Sequence, residues 1–267
     1  MGPVFLLIVE WAIVFVGVVL LAWGIHRRWA VSWHIWVWGA VTFVTAQLAR
    51  SPLLIGLSLL FPSTEVPQTT VLLVLNVLLL GLSAGFFEET ARYVMLRWML
   101  RTARRWEDGV MFGAGHGGME AILLIGLAVL GNVFLLLYSD VVMAQVRATS
   151  PEAVPALELA IEKLRQLSWQ DVGFAWWERV IAITAHITLA LMVLQAVRGS
   201  GWLWWAGAVV SHALLNITVV LTAQWGGTLL AEGVGTLFAL AGFGFIRYAR
   251  HLDRPDVPGG PDSPAVA

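Results

Sequence analysis

Long uninterrupted apolar stretches recur along the chain and constrain its fold more than any other feature. A run of about 20 apolar residues, coiled as a helix, is long enough to cross the ~30 Å hydrocarbon core of a bilayer. Within lipid, a helix also satisfies its own backbone hydrogen bonds. Only 12% of the residues are charged, whereas soluble domains carry roughly 25%. We therefore predict an all-α fold, a polytopic transmembrane helix bundle of about seven spans.

The predicted spans form one transmembrane domain over residues 1–251. A proline at position 52 predicts a kink in the second span. The tail, residues 252–267, is rich in Pro, Gly and Asp and is predicted to be disordered. The seven spans are 3–25, 31–60, 70–100, 108–138, 172–197, 201–223 and 227–248.

The long connection between spans four and five contains a candidate surface helix at about 155–168. Leu157, Ile161 and Leu164 recur there at helical spacing, and charged residues fall mostly on the opposite side. This pattern is typical of an amphipathic helix that lies on a membrane surface. The sequence therefore places a helix here that does not cross the bilayer.

Basic residues in the short loops predict the orientation of the chain. Arginines follow spans one, three, five and seven, and the short loops at the opposite end contain neither Lys nor Arg. Because basic loops stay in the cytosol, we expect the N-terminus outside and the C-terminus in the cytosol. The net charge of −1 gives no reason to expect a nucleic-acid partner. The absence of cysteine excludes thiolate metal sites and cysteine nucleophiles.

Four spans carry an ionisable side chain at a similar depth. They are Glu88 in span three, His116 in span four, His186 in span five and His212 in span six. At 1.5 Å per residue, each lies roughly 12–18 Å below the predicted cytosolic surface. A charge at this depth is costly unless it is paired or faces a wet cavity. We therefore expect these groups to converge on one site in the cytosolic half of the membrane.

Local spacing adds partners to this layer. Arg92 follows Glu88 by four residues and Glu89 by three, so it can pair with either carboxylate on one helix surface. His212 and Asn216 are four residues apart and therefore share a helix face. Each pattern alone also fits a structural role, either an ion pair or a hydrogen bond between helices. Their common depth is what favours a functional site.

Small residues on span four predict that other helices approach it closely around His116. Gly113, Gly117 and Ala121 are spaced four residues apart. Such a line lets the backbones of neighbouring membrane helices come together. We therefore expect His116 to lie at a helix–helix contact.

Three short motifs resemble those of the CAAX-protease and bacteriocin-processing superfamily of intramembrane proteases. Within it, the YhfC family shares a Glu-Glu-Thr-x-Arg-Tyr stretch, a Gly-His-Gly-Gly-x-Glu stretch and a helix with Glu-Arg and His. The resemblance covers residues 35 to 220. One departure is that two residues, and not three, separate the second Glu from the Arg. The motif residues here are Glu88-Glu89-x-x-Arg92, Phe112-x-x-x-His116, Gly115 to Glu120, Glu178, Arg179, His186 and His212-x-x-x-Asn216.

The resemblance implies a glutamate-type intramembrane endopeptidase that needs no cofactor. Glu88, assisted by His116, would deprotonate a water that attacks the peptide carbonyl. His212 and Asn216 would donate hydrogen bonds to the oxyanion, a large source of catalysis in a low-dielectric pocket. The implied partners are the lipid bilayer, here of a bacterial cell membrane, and a peptide or membrane-protein substrate. The supporting residues would be Glu89, Arg92, Glu120 and His186.

Other functions fit the same residues. Glu88, His116 and His212 could hold Zn²⁺ in an intramembrane metalloprotease. The absence of an H-E-x-x-H helix makes this version less favoured. Buried ionisable residues also mark proton-coupled transporters, although the spans show no repeat of the kind common in transporters. A non-catalytic, immunity-type membrane protein is the third alternative.

Overall fold

The computed structural model describes residues 2–60 and 69–253, and the regular secondary structure within them is entirely helical. Six of these helices are long and apolar enough to cross a membrane, which confirms the predicted all-α bundle. The α-helices are α1 Pro3–Trp29, α2 Trp33–Leu60, α3 Thr70–Val94, α4 Trp106–Leu137, α5 Ser139–Thr149, α6 Val154–Arg165, α7 Trp169–Val197 and α8 Leu203–Ala249. A π-helical turn, Met95–Met99, extends α3.

The last helix, α8, folds back on itself and supplies two spans. Its 47 residues would extend about 70 Å as one straight helix, more than twice the hydrocarbon core. At Gly227 the backbone turns to φ 78° and ψ 176°, a conformation that glycine adopts without steric cost. The rings of Trp204 and Phe245 lie 5.9 Å apart, so both ends of α8 meet at the same end of the bundle. Within the described residues the bundle thus has seven spans, with α8 counted twice, as predicted.

The basic loops gather at one end of the bundle, called here the arginine-rich end. Trp29, at the end of α1, meets Trp106, at the start of α4, edge to face at 5.2 Å. The Trp106 ring nitrogen donates to the Ile246 carbonyl oxygen at 2.9 Å. The Arg198 guanidinium donates to the Arg104 carbonyl oxygen. The opposite end, where α1 begins, is called the far end. Which end faces the cytosol stays a prediction.

The predicted local features have mixed outcomes. Helix α2 continues through Pro52. The predicted surface helix corresponds to α6, Val154–Arg165, and its location at a membrane surface stays a prediction. Helix α5, which precedes it, was not predicted from the sequence. Most of the predicted tail, from residue 254 onward, lies outside the described residues.

Glycines bring α2, α4 and α7 into close contact in the half of the bundle nearer the arginine-rich end. A Cβ atom on Gly115 of α4 would overlap the Trp36 carbonyl group of α2, and one on Gly113 would lie 2.5 Å from the Ile187 Cα of α7. A Cβ on Gly117 would lie 2.9 Å from the His186 ring. The predicted close approach around His116 is therefore confirmed. The core of the bundle, including Met111, Phe112 and Leu191, is buried in the same half.

Candidate active site

Glu88 lies at the centre of a buried polar cluster formed by five spans. Its side chain projects from α3 and is 4% exposed. One carboxylate oxygen accepts a hydrogen bond from the Gln47 amide at 3.0 Å. The other lies 3.0 Å from His116 Nε2 and 3.9 Å from His212 Nε2. The sequence predicted that these histidines share a depth with Glu88, and the structure brings both to its carboxylate.

The second acid of the motif, Glu89, binds different partners. Its side chain is fully buried and forms an ion pair with Arg92, also fully buried, three residues later on α3. The same Glu89 oxygen lies 2.7 Å from His212 Nδ1. The other Arg92 terminal nitrogen, Nη2, is 3.6 Å from Glu88 Oε2, so this one guanidinium lies close to both buried carboxylates. A buried acid left without such a partner would be strongly destabilising.

Hydrogen bonds fix the proton position on His186. Arginine can only donate, so His186 Nδ1 accepts the bond from Arg92 Nη2, at 2.6 Å. The ring proton of a neutral His186 is therefore on Nε2, which lies 2.6 Å from Glu120 Oε2. Glu120 is also 3.8 Å from Arg179 Nη1. Glu120 and Arg92 thus hold the His186 ring from its two sides.

His212 and Asn216 share a face of α8, as predicted, but differ in what their polar atoms bind. If Glu89 is ionised, His212 Nδ1 donates to it, and Nε2 of the neutral ring carries a lone pair directed toward Glu88. To donate a hydrogen bond from Nε2, the ring would have to carry both protons. Asn216 is half-buried and lines the cavity beside Glu88, and within the described part of the chain its amide forms no hydrogen bond.

Three of these residues could hold a metal ion. Ligand atoms of Glu88, His116 and His186 lie within 4.8 Å of one another, and all three residues are buried. Two imidazoles and one carboxylate form a common protein ligand set of catalytic zinc. Among the described residues, His116 Nδ1 and Glu89 Oε2 are buried without a partner, and a bound ion or water is the usual explanation for such atoms. The residues present therefore fit a metal ion.

The zinc ligands that the sequence suggested for the less favoured metal alternative differ from this group in one member. Sequence reasoning chose His212 with Glu88 and His116, whereas the converging group contains His186. His212 instead bonds to Glu89 through Nδ1. The two histidines share a depth, and only the rotation of α7 and α8 about their axes distinguishes them.

Gln47 was not singled out from the sequence, although it donates directly to Glu88. It is the fifteenth residue of α2, which begins near the arginine-rich end. An amide at membrane depth is itself unusual, since each unpaired polar group in lipid is costly. Counting amides together with acids and histidines would have identified it.

The cluster forms the floor of a cavity of about 490 Å³. Glu88, Glu120, His186 and His212 line it together with Asn216, and leucine side chains form much of the wall. This volume falls within the range of ligand-binding pockets. The arrangement can therefore present an acid, imidazoles and a free amide to a bound molecule in a largely apolar setting.

Comparison with known proteins gives two matches. A family model described as the YhfC intramembrane metalloprotease matches residues 12–234. The chain is 34% identical over 146 residues to the "Uncharacterized membrane protein YhfC" of Bacillus subtilis (strain 168), which covers 52% of this chain and 54% of the relative. The chain thus aligns with about half the length of that curated relative. No solved structure matches it.

Proposed function

Because the chain belongs to the YhfC intramembrane metalloprotease family, we propose that it is an intramembrane endopeptidase with Glu88, His116 and His186 as metal ligands. One observation carries the proposal: these residues come from three different spans, and their ligand atoms lie within 4.8 Å of one another. Zn²⁺ held there would polarise a peptide carbonyl and activate water. The proposed substrate is a peptide or a membrane protein, met within the lipid bilayer.

The surrounding residues support this ligand set. Ligation by His186 replaces one of its two hydrogen bonds, and the bond to Glu120 is of the kind that orients metal-binding histidines. Arg92 forms its shorter ion pair with Glu89, which leaves the role of metal ligand to Glu88. Glu88, His116 and His186 are buried, which limits their contact with bulk water and strengthens each electrostatic interaction with a reacting peptide.

A glutamate mechanism without metal is a second candidate, favoured by the position of Arg92. Its Nη2 lies 2.6 Å from His186 Nδ1 and 3.6 Å from Glu88 Oε2, so a guanidinium already provides positive charge between two of the proposed ligands. In this mechanism Glu88, assisted by His116, takes a proton from water. Asn216 donates to the oxyanion, joined by His212 when its ring carries both protons. Resemblance to the wider CAAX-protease and bacteriocin-processing superfamily supports this version.

Metal content distinguishes the two mechanisms. We expect purified wild-type protein to contain zinc by mass spectrometry, His186→Ala protein to lose it, and the matched His212→Ala protein to retain it. A chelator should stop peptide cleavage, and added Zn²⁺ should restore it. Full cleavage by metal-free protein would support the glutamate mechanism and reject the metal ligands. Zinc lost from His212→Ala and kept by His186→Ala would reverse their assignment.

A comparison of membrane proteomes tests whether the chain is a protease at all. Cells with Glu88→Gln protein should accumulate uncut precursors that wild-type cells process. Glu88→Ala and His116→Ala should likewise abolish cleavage while the protein stays folded in detergent. Retained cleavage by either variant removes the role assigned to that residue. Substrate flux into proteoliposomes that survives Glu88→Gln would indicate a transporter. Full complementation by Glu88→Ala would indicate a non-catalytic protein.

We further propose that the chain lies in a bacterial cell membrane with its N-terminus outside and its C-terminus in the cytosol. The gathering of arginines at one end of the bundle supports this orientation, since basic loops remain in the cytosol. Under this orientation, the far end of the bundle faces outward. Reporter fusions to each terminus would test it.

A further inference from the structure

The catalytic cavity extends from the polar cluster toward the far end of the bundle. Helices α2, α4 and α8 enter the bundle at the arginine-rich end, so residues that follow the cluster in these helices lie farther along that direction. Most of the apolar wall comes from such residues, among them Leu48, Leu124, Leu127 and Leu215. The acidic groups and the histidines therefore form the floor of the cavity, Arg50 lies on the wall above them, and the space above the floor belongs to the far half of the membrane.

Packing closes the cavity on the opposite side. Near the arginine-rich end, α2 and α4 touch so closely at Gly115 and Trp36 that no side chain fits between them. Met111, Phe112 and Leu191 are buried below the cluster, with exposures of 0%, 0% and 1%. A second, larger cavity reaches that end, but it shares no lining residue with the catalytic one. Close packing between α2 and α4 therefore blocks the approach to Glu88 from the arginine-rich end.

In the far half, the cavity reaches the lipid-facing surface between α2 and α4. Leu48 of α2 is 67% exposed and Leu127 of α4 is 65% exposed, although both line the cavity. Leu124, one helical turn closer to the cluster, is 48% exposed. The two helices that touch at Gly115 thus leave an opening between their far halves, and its edges are apolar.

The cavity wall carries polar groups suited to an unwound peptide. A peptide bond must leave its helix to be cleaved, and its freed N–H and C=O groups then need partners within the membrane. Gln47, Ser51 and Asn216 line the wall and offer amide and hydroxyl groups. The Asn216 amide is uncommitted within the described chain. The leucines between these groups would contact the apolar side chains of the bound peptide.

Resting on the proposed protease function, we propose that the substrate enters laterally between α2 and α4, from the half of the membrane at the far end. Its class follows from the walls: an unwound apolar segment of a membrane-embedded polypeptide. The α2–α4 opening, edged by Leu48 and Leu127, is then both the entrance and a determinant of specificity. Polypeptides confined to the side of the arginine-rich end would not reach Glu88.

Accessibility labelling tests the direction of entry without requiring activity. Because the sequence contains no cysteine, each variant carries a single, introduced thiol. Ser51→Cys protein in sealed vesicles of known orientation is treated with a membrane-impermeant thiol reagent. Arg101→Cys marks the arginine-rich end, and Arg147→Cys, in α5, marks the far end. We expect Ser51→Cys to be labelled from the same side as Arg147→Cys. Labelling from the Arg101 side, or from neither side, would overturn the proposal.

Photo-crosslinking tests the lateral opening itself. A benzophenone amino acid replaces Leu127 in one protein and, as the matched control, Leu20 in another. Leu20 is a 58% exposed residue of α1 that lines neither cavity. The probe is a fluorescent, synthetic single-span peptide of Leu and Ala with a central Gly-Pro pair. We expect several-fold more capture at position 127 than at 20. Equal capture at positions 127 and 20 would refute lateral entry, even if the protein still binds zinc and cleaves peptides. Capture specific to position 127 without any cleavage would count against the protease function and not against lateral entry.

Discussion

Replacing Gly115 with alanine should push α2 and α4 apart and destabilise the bundle. The new Cβ would overlap the Trp36 carbonyl oxygen and lie 2.8 Å from the carbonyl carbon, whereas carbon atoms pack at about 3.5–4.0 Å. Because the obstacle is backbone, no side-chain rotation relieves it, and the helices must separate by on the order of 1 Å. Overpacking costs about 3 kcal/mol at the upper end of its usual range. Alanine recovers about 1 kcal/mol as a better helix former.

The net loss of about 2 kcal/mol corresponds to a roughly 30-fold smaller folding equilibrium constant. It can be measured by unfolding the protein with SDS in mixed micelles and following tryptophan fluorescence. Gly131→Ala on the same helix is the matched control, because its Cβ would meet no atom within 4 Å. We expect Gly131→Ala to match or exceed the wild type in stability. Equal stability of the two variants would refute the claim that close α2–α4 contact holds the site together.

Three further predictions concern the cluster. Glu120→Gln should weaken zinc binding by about 10–100-fold, the usual effect of losing a residue that orients a ligand, and unchanged affinity in a chelator competition would contradict that role. Arg92→Gln should destabilise the protein by about 3–5 kcal/mol, because it removes the guanidinium that is paired with the buried Glu89 charge. In SDS unfolding, the Arg92→Gln/Glu89→Gln double variant should recover part of the lost stability. A double variant no more stable than Arg92→Gln alone would argue against charge burial as the cause. Asn216→Ala should lower the turnover number by about 10²-fold without unfolding the protein, as expected for one lost oxyanion donor; a wild-type rate would reject that assignment.

Some contacts of the polar cluster could be predicted from the sequence and others could not. The ion pair of Glu89 with Arg92 follows from a spacing of three residues on one helix, and the structure contains it. The meeting of Glu88 and His116 was expected from their common depth. The partner of each remaining histidine was not predictable in the same way. His186 lies between Arg92 and Glu120, and His212 bonds to Glu89.

The sequence by itself determined the seven spans and the depth of each ionisable group, because apolar length sets what crosses a bilayer and each helical residue advances by a fixed 1.5 Å. Only the tertiary structure decided which way each helix is rotated. That rotation depends on close packing between helices, such as the contact of Gly115 with Trp36. It places His186 beside Glu88 and His116, and it opens the cavity toward the far end. The depth of a residue follows from its position along one helix, whereas the direction in which its side chain points depends on how that helix packs against its neighbours.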